Sequence, residues 1–194
     1  MKHLLFSAAV VLLMTAGRVS GATTKWDGSA EIAFSGNSTL HSWDGAVNAE
    51  PFVATVVTGD DDRPKSLSAT VKVKAAGMDT NNDKRDATMH KSMKVADYPL
   101  IEGKFQDISF TTIMPDGKTP SNLPFSLTLL GKKHDVVATV GNWKFGEDTA
   151  TFDVSFSLSL KQCGINVPSA MLVVRVGDTV KVTASVKLVR AKGN

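Results

Sequence analysis

Strict alternation of apolar and polar residues, sustained over four long runs, constrains this chain more than any other feature. Leu123, Phe125, Leu127 and Leu129 are separated by Pro124, Ser126 and Thr128. Phe152, Val154, Phe156, Leu158 and Leu160 alternate with Asp153, Ser155, Ser157 and Ser159. Leu67, Ala69, Val71 and Val73 alternate with Ser68, Thr70 and Lys72, and Val180, Val182, Ala184, Val186 and Leu188 with Lys181, Thr183, Ser185 and Lys187. Successive side chains of a strand point to opposite faces, so each run presents one apolar face and one wet face. Weaker runs complete a set of strands near 25–34, 38–49, 51–58, 66–75, 103–113, 122–130, 133–143, 149–160 and 178–190. Turn chemistry separates them at Ser35-Gly36-Asn37, Gly59 to Pro64, Pro115-Asp116-Gly117, Gly146-Glu147-Asp148 and Gly177-Asp178. The gaps are mostly short, which predicts antiparallel hairpins between neighbours.

One segment breaks the pattern. Asn82 to Ala96 has no alternation, while Met89, Met93 and Ala96 fall on one face of a helix. Asn81 or Asn82 can cap its start, and Tyr98-Pro99 ends it. A single helix cannot cover the apolar face of about eight strands, so the sheet must bury that face against itself. Strands of about 12 residues, near 40 Å at about 3.3 Å per residue, are long for a sandwich. Together with hairpin order they predict an all-β fold, an antiparallel up-and-down, lipocalin-like barrel of about eight strands with one short helix. A barrel of that size is either filled by its own side chains or holds one small ligand. Small inward residues (Ala69, Ala184, Gly45) among the large ones leave room for a cavity.

The N-terminus sets the compartment. Lys2 and His3 precede an apolar run from Leu4 to Ala16, and small residues follow at Ser20, Gly21 and Ala22. This is the secretory pattern, and the run is shorter than the roughly 20 residues a membrane-spanning helix needs. The expectation is a signal peptide over residues 1–21, one barrel domain over 22–194, and a soluble product in the periplasm or secreted. Lys2 and Arg18 leave with the signal, so the net charge falls from +3 to +1 and the basic balance does not argue for nucleic acid. Cys163 is the only cysteine, so the fold is held by packing rather than disulfides, and the thiol is expected to be a small buried hydrophobe.

Thr80 to Phe105 (TNNDKRDATMHKSMKVADYPLIEGKF) resembles the bacterial YceI-like proteins in its Arg85-Asp86 pair opening a helix, its Tyr98-Pro99 step and its strand ending in Phe105. Ile32 to Gly45 is similar to that family's opening hairpin, and Gly164-Ile165 with Val176 to Val180 to its closing loop and last strand. The resemblance implies an exported lipocalin-like barrel associated with binding polyisoprenoid lipids. The chain departs from the family at Thr88, at Val95-Ala96-Asp97 and at His41-Ser42-Trp43, near the expected mouth of the barrel.

Groups able to carry chemistry are few. After residue 21 the histidines are His41, His90 and His134, with no zinc-ligand spacing, and no nucleophile elbow or phosphate-cradling loop is present. Arg85 and Asp86 either clamp the helix to a neighbouring loop or place Arg85 at a polar headgroup. Trp43 and His41 share the parity of Val47 and should face inward, as an aromatic plug or as a grip on a ligand with one polar end. Inward parity selects Val71, Phe125, Leu127, Phe152, Val154, Phe156, Val182 and Ala184 to line any cavity. The expected function is carriage of an amphiphilic lipid, an isoprenoid or isoprenoid quinone, with visits to the membrane surface, no nucleic-acid partner, no metal and no cofactor. The alternatives are a filled-barrel envelope interaction protein and, further off, a hydrolase using His41 or His90.

Overall fold

The computed structural model describes residues 22–59, 63–117, 119–166 and 175–192. Residues 1–21, where the signal peptide is expected, lie outside them, as do residues 60–62 of the Gly59–Pro64 turn. The strands are β1 (Thr23–Ser38), β2 (Ser42–Asn48), β3 (Phe52–Thr58), β4 (Pro64–Lys74), β5 (Leu100–Ser109), β6 (Asn122–Leu129), β7 (Lys132–Phe145), β8 (Thr149–Ser159) and β9 (Val176–Arg190). Among the described residues two α-helices interrupt the series, α1 (Asp83–Ser92) and the single turn α2 (Phe110–Ile113), and a 3-10 turn at Ala75–Gly77 follows β4.

β1 pairs antiparallel with both β2 and β3, each strand from β3 to β8 pairs antiparallel with the next, and β9 returns to β1 in one register from Trp26↔Arg190 to Gly36↔Val180. The sheet is therefore a closed barrel, which removes both exposed edges. Nine segments make eight staves, because β2 and β3 lie end to end on the same edge of β1. β2 pairs from Asn37↔Ser42 to Glu31↔Asn48, and β3 resumes at Gly28↔Phe52, one residue out of step. At the break the Ala49 N–H still donates to the Ala30 carbonyl (2.9 Å), while the Glu50 N–H turns to Lys72 (2.8 Å). Pro51 has no N–H to continue the ladder, so the stave kinks there without ending.

The alternation translates directly into burial. Along β6, Leu123, Phe125, Leu127 and Leu129 are buried, and the residues between them are half-buried or exposed. Three expectations are corrected at element ends. Ser35-Gly36-Asn37, expected as a turn, pair as strand with Asp44, Trp43 and Ser42, and the chain turns over residues 39–41 instead. The strand placed at 103–113 stops at Ser109, and Phe110 and Ile113, three apart, fold as α2 with Ile113 buried against the core. Alternation fails there because two threonines separate the apolar pair, which is helical spacing. The helix ends at Ser92 rather than Ala96: Asn82 caps its start by accepting from the Arg85 N–H (3.0 Å), and Lys94 takes a left-handed φ of 49° in the turns that follow.

The two ends of the barrel differ. Where β1 begins and β9 ends, Trp26, Trp143, Phe145 and Phe152 form a chain of ring contacts at 5.3–5.9 Å, with the Arg190 guanidinium 5.5 Å over the Trp26 ring. Ala54, Ala150 and Leu188 pack beside Trp26, so this end is plugged. At the other end α1 and residues 160–165 lean over the opening, joined by an apolar cluster of Met93, Leu129, Cys163 and Ile165.

Candidate functional site: an apolar cavity with one open end

Between the aromatic floor and this cover lies a cavity of about 450 Å³ with almost wholly apolar walls. Five staves supply most of it: Ala30, Ile32 and Phe34 of β1, Val71 and Val73 of β4, Phe125 and Leu127 of β6, Val154 and Phe156 of β8, Val182 and Ala184 of β9. The walls are built from aromatic contacts. The Phe125 ring stacks on Phe105 (4.9 Å) and meets Phe156 edge-on (5.3 Å), holding three rings at mid-height. Gly103 lies beside them: a Cβ there would meet Phe105 and Phe125 in ordinary contact at 3.7 Å. Gly45 is different, since the Phe34 ring already occupies its would-be Cβ position.

Of the residues selected by parity, Trp43, Val71, Phe125, Leu127, Val154, Phe156, Val182 and Ala184 all border this space, as does His41. Phe152 does not. It has the inward parity of Val154 and Phe156 but sits lower, against Trp143, as part of the floor. His41 is exposed at the rim, because β2 begins only at Ser42 and His41 belongs to the turn, where its carbonyl accepts from the Ser38 hydroxyl (2.9 Å). Trp43 is half-buried and meets Phe34 edge-on at 6.4 Å.

The cover contributes residues that strand parity could not reach: Met78, Arg85, Thr88, Met89 and Ser92 from around α1, and Cys163 and Ile165 from the segment after β8. Met89 and Met93 were visible as a helical stripe, but not that the stripe faces a cavity. Cys163 is buried, and burial with the Asp178 carboxylate nearby pushes its thiol up, so it stays protonated at neutral pH.

Arg85 and Asp86 converge on Thr80, the buried polar residue of the described chain. The Arg85 Nε donates to Thr80 Oγ1 and its Nη2 to the Thr80 carbonyl, both at 2.8 Å, while Asp86 Oδ1 accepts from Thr80 N–H (3.0 Å) and Oγ1 (2.6 Å). The pair is thus a clamp that ties α1 to the strand connection, and Arg85 also borders the mouth of the cavity. His90 extends the clamp, its Nε2 donating to the Met78 carbonyl (2.9 Å). His90 does not border the cavity that His41 touches, and among the described residues no three His, Cys, Asp or Glu gather as a metal site.

Two carboxylates hold the cover in place. Hydrogen bonds from Thr80 hold Asp86 below the ordinary carboxylate range, and Asp178 is held down by the Ser159 hydroxyl (2.6 Å) and the Lys161 N–H (2.8 Å). Both pKa values are depressed on folding, so the stability they contribute is present above the unfolded value, about 3.9, and is lost as pH falls through the folded values. Denaturation midpoints should be flat from neutral pH down to about 5 and should fall below about 4. Asp86→Asn should lower the midpoint at neutral pH and flatten the acid limb. An acid limb identical in Asp86→Asn and the parent would show that Asp86 takes no part.

A protein-family comparison matches residues 4–188 to the YceI-like domain. The chain belongs to the YceI-like family. Among solved structures, BcnA of Burkholderia cenocepacia is similar at 17% identity and a TM-score of 0.59, over 81% of this chain and 95% of that one. A polyisoprenoid binding domain from Saccharophagus degradans, implicated in plant cell wall breakdown, is similar at 9% identity and a TM-score of 0.53, over 88% and 100%. At these identities the likeness concerns the fold, and it extends the YceI-like barrel over most of the chain. A search of curated proteins finds no match.

Proposed function

We propose that this YceI-like barrel carries one long amphiphilic lipid, an isoprenoid or isoprenoid quinone, without acting on it chemically. The observation that carries this reading is the cavity itself: apolar, floored by rings at one end and open at the other. About 450 Å³ is within the 300–1,000 Å³ of small-molecule sites. Apolar cavities stay dry, so a hydrocarbon chain entering this one displaces little bound water and gains about 25 cal/mol per Å² of its own surface removed from solvent. The polar end of the lipid would remain at the rim, where Trp43, His41 and Arg85 supply the donors. The Saccharophagus degradans domain, a polyisoprenoid binding domain of the same fold, supports the ligand class. Export to the periplasm or medium is supported by the charged start and apolar run of residues 2–16. A filled barrel acting through its loops fits less well, because the interior is packed solid only around the aromatic floor.

Titration with a fluorescent polyprenyl probe tests the proposal. Saturable binding of one probe per protein is expected, with competition by unlabelled isoprenoids and by fatty acyl chains of similar length within about tenfold, since area-driven binding is indifferent to branching. Probe emission that rises linearly without saturation would oppose it.

A further inference from the structure

A carrier of this kind selects its ligand by what the cavity can enclose, and the bottom of this cavity falls at one row of residues. Cross-strand pairing puts Ala30 of β1, Val186 of β9 and Phe152 of β8 side by side. Ala30 and Val186 border the cavity, whereas the Phe152 ring packs down against Trp143. Val186 and Phe152 touch both the apolar cluster of the walls and the cluster around Trp26, so this row is the boundary between them. In the next row towards the mouth Ile32, Ala184 and Val154 all border the cavity. The polar lining is at the other end. Arg85, Thr88 and Ser92 border the cavity from the cover, and Ser38 and His41 from the β1–β2 connection. The two bottom rows offer only hydrocarbon, so a polar group driven down to them loses its hydrogen bonds to water and finds no partner. An amphiphile therefore enters tail first.

Volume and depth give the same limit for the tail. An apolar cavity of about 150 Å³ holds one benzene ring, so about 450 Å³ holds about three times as much hydrocarbon, roughly 18 carbons. On β1 the lining runs from Ala30 to Ser38. Those residues rise about 3.3 Å each, about 26 Å in all, which a strand tilt of about 40° shortens to about 20 Å along the barrel axis. An extended backbone advances about 3.3–3.6 Å over its three bonds per residue, and at that rate about 20 Å takes roughly 17 bonds.

We propose that the barrel selects its ligand by length: it buries about 15–20 carbons, or about three to four isoprene units, tail first against the Ala30–Val186–Phe152 row. Selection by length rests on the carrier function above and narrows its ligand class. Units of a longer chain stay outside the mouth and add nothing to binding.

Displacement of the fluorescent polyprenyl probe by a series of linear primary alcohols, each kept monomeric by a cyclodextrin buffer, tests it. Affinity should rise about fourfold per added methylene up to roughly 18 carbons and stay flat beyond, to about 24. Ala30→Phe sets a ring of about one benzene's volume at the bottom and should lower the limit by roughly six carbons. Its effect should therefore grow with chain length, slight at about 12 carbons and several thousandfold at about 18. Val186→Phe, on the same row, gives the same shift if Ala30→Phe does not fold, and melting temperatures show which variants do. Affinity that keeps rising to about 24 carbons, a loss equal at all lengths in a folded variant, or bound probe that no alcohol displaces overturns the length limit and leaves carriage standing. Protein that takes up neither probe nor alcohol contradicts both.

Discussion

Val154→Asp is expected to unfold the barrel, while Ser155→Asp, the next residue, leaves it standing. Val154 is 4% exposed in the largest apolar cluster, with Leu127, Val136 and Ala138, and its cross-strand neighbours are Val140 and Ala184. A carboxylate there has no cation or donor to meet, and an uncompensated buried charge costs about 3–5 kcal/mol, against a total stability of about 5–15 kcal/mol. Ser155 is exposed, between Thr139 and Thr183 on the outer wall, where substitutions stay within about 0.5 kcal/mol. Urea denaturation followed by circular dichroism reads both. Equal effects would mean that β8 does not present its even positions to the interior.

Ala184→Trp should abolish lipid uptake in a protein that still folds. Ala184 borders the cavity on β9, between Ile32 and Val154, and offers only a methyl group to it. An indole there fills space that the structure leaves empty, so the strain should stay near the low end of the 1–3 kcal/mol typical of overpacking. A buried Trp covers about 150–250 Å², and surface of that size taken from the ligand forfeits about 4 kcal/mol at 25 cal/mol per Å². Affinity for a polyprenyl probe should fall about a thousandfold, with the melting temperature within a few degrees of the parent. Unchanged affinity would place the ligand elsewhere on the molecule.

Much of the barrel was legible because alternation is a local signal and the long runs at 123–129, 152–160 and 180–188 carry it without interruption. What stayed hidden is non-local. Pro51 reads as a boundary between two strands, and only the shared β1 edge reveals that β2 and β3 are one kinked stave. Parity states which side of the sheet a residue faces but not its height in the barrel. That height follows from the stagger between staves, which is why Phe152 lies in the floor while Phe156 borders the cavity. The cover escaped for a similar reason: Met89, Cys163 and Ile165 are distant in sequence and meet only when the barrel closes.

Native mass spectrometry of the protein purified from its own host without detergent, followed by organic extraction, tests carriage most directly. A cavity this apolar should not leave the cell empty. The expected spectrum shows one adduct per chain, lost on Ala184→Trp, and the extract contains a long-chain amphiphile of the isoprenoid or isoprenoid quinone class. A bare polypeptide mass, from protein that also takes up no isoprenoid or fatty acyl probe when offered one, would contradict lipid carriage.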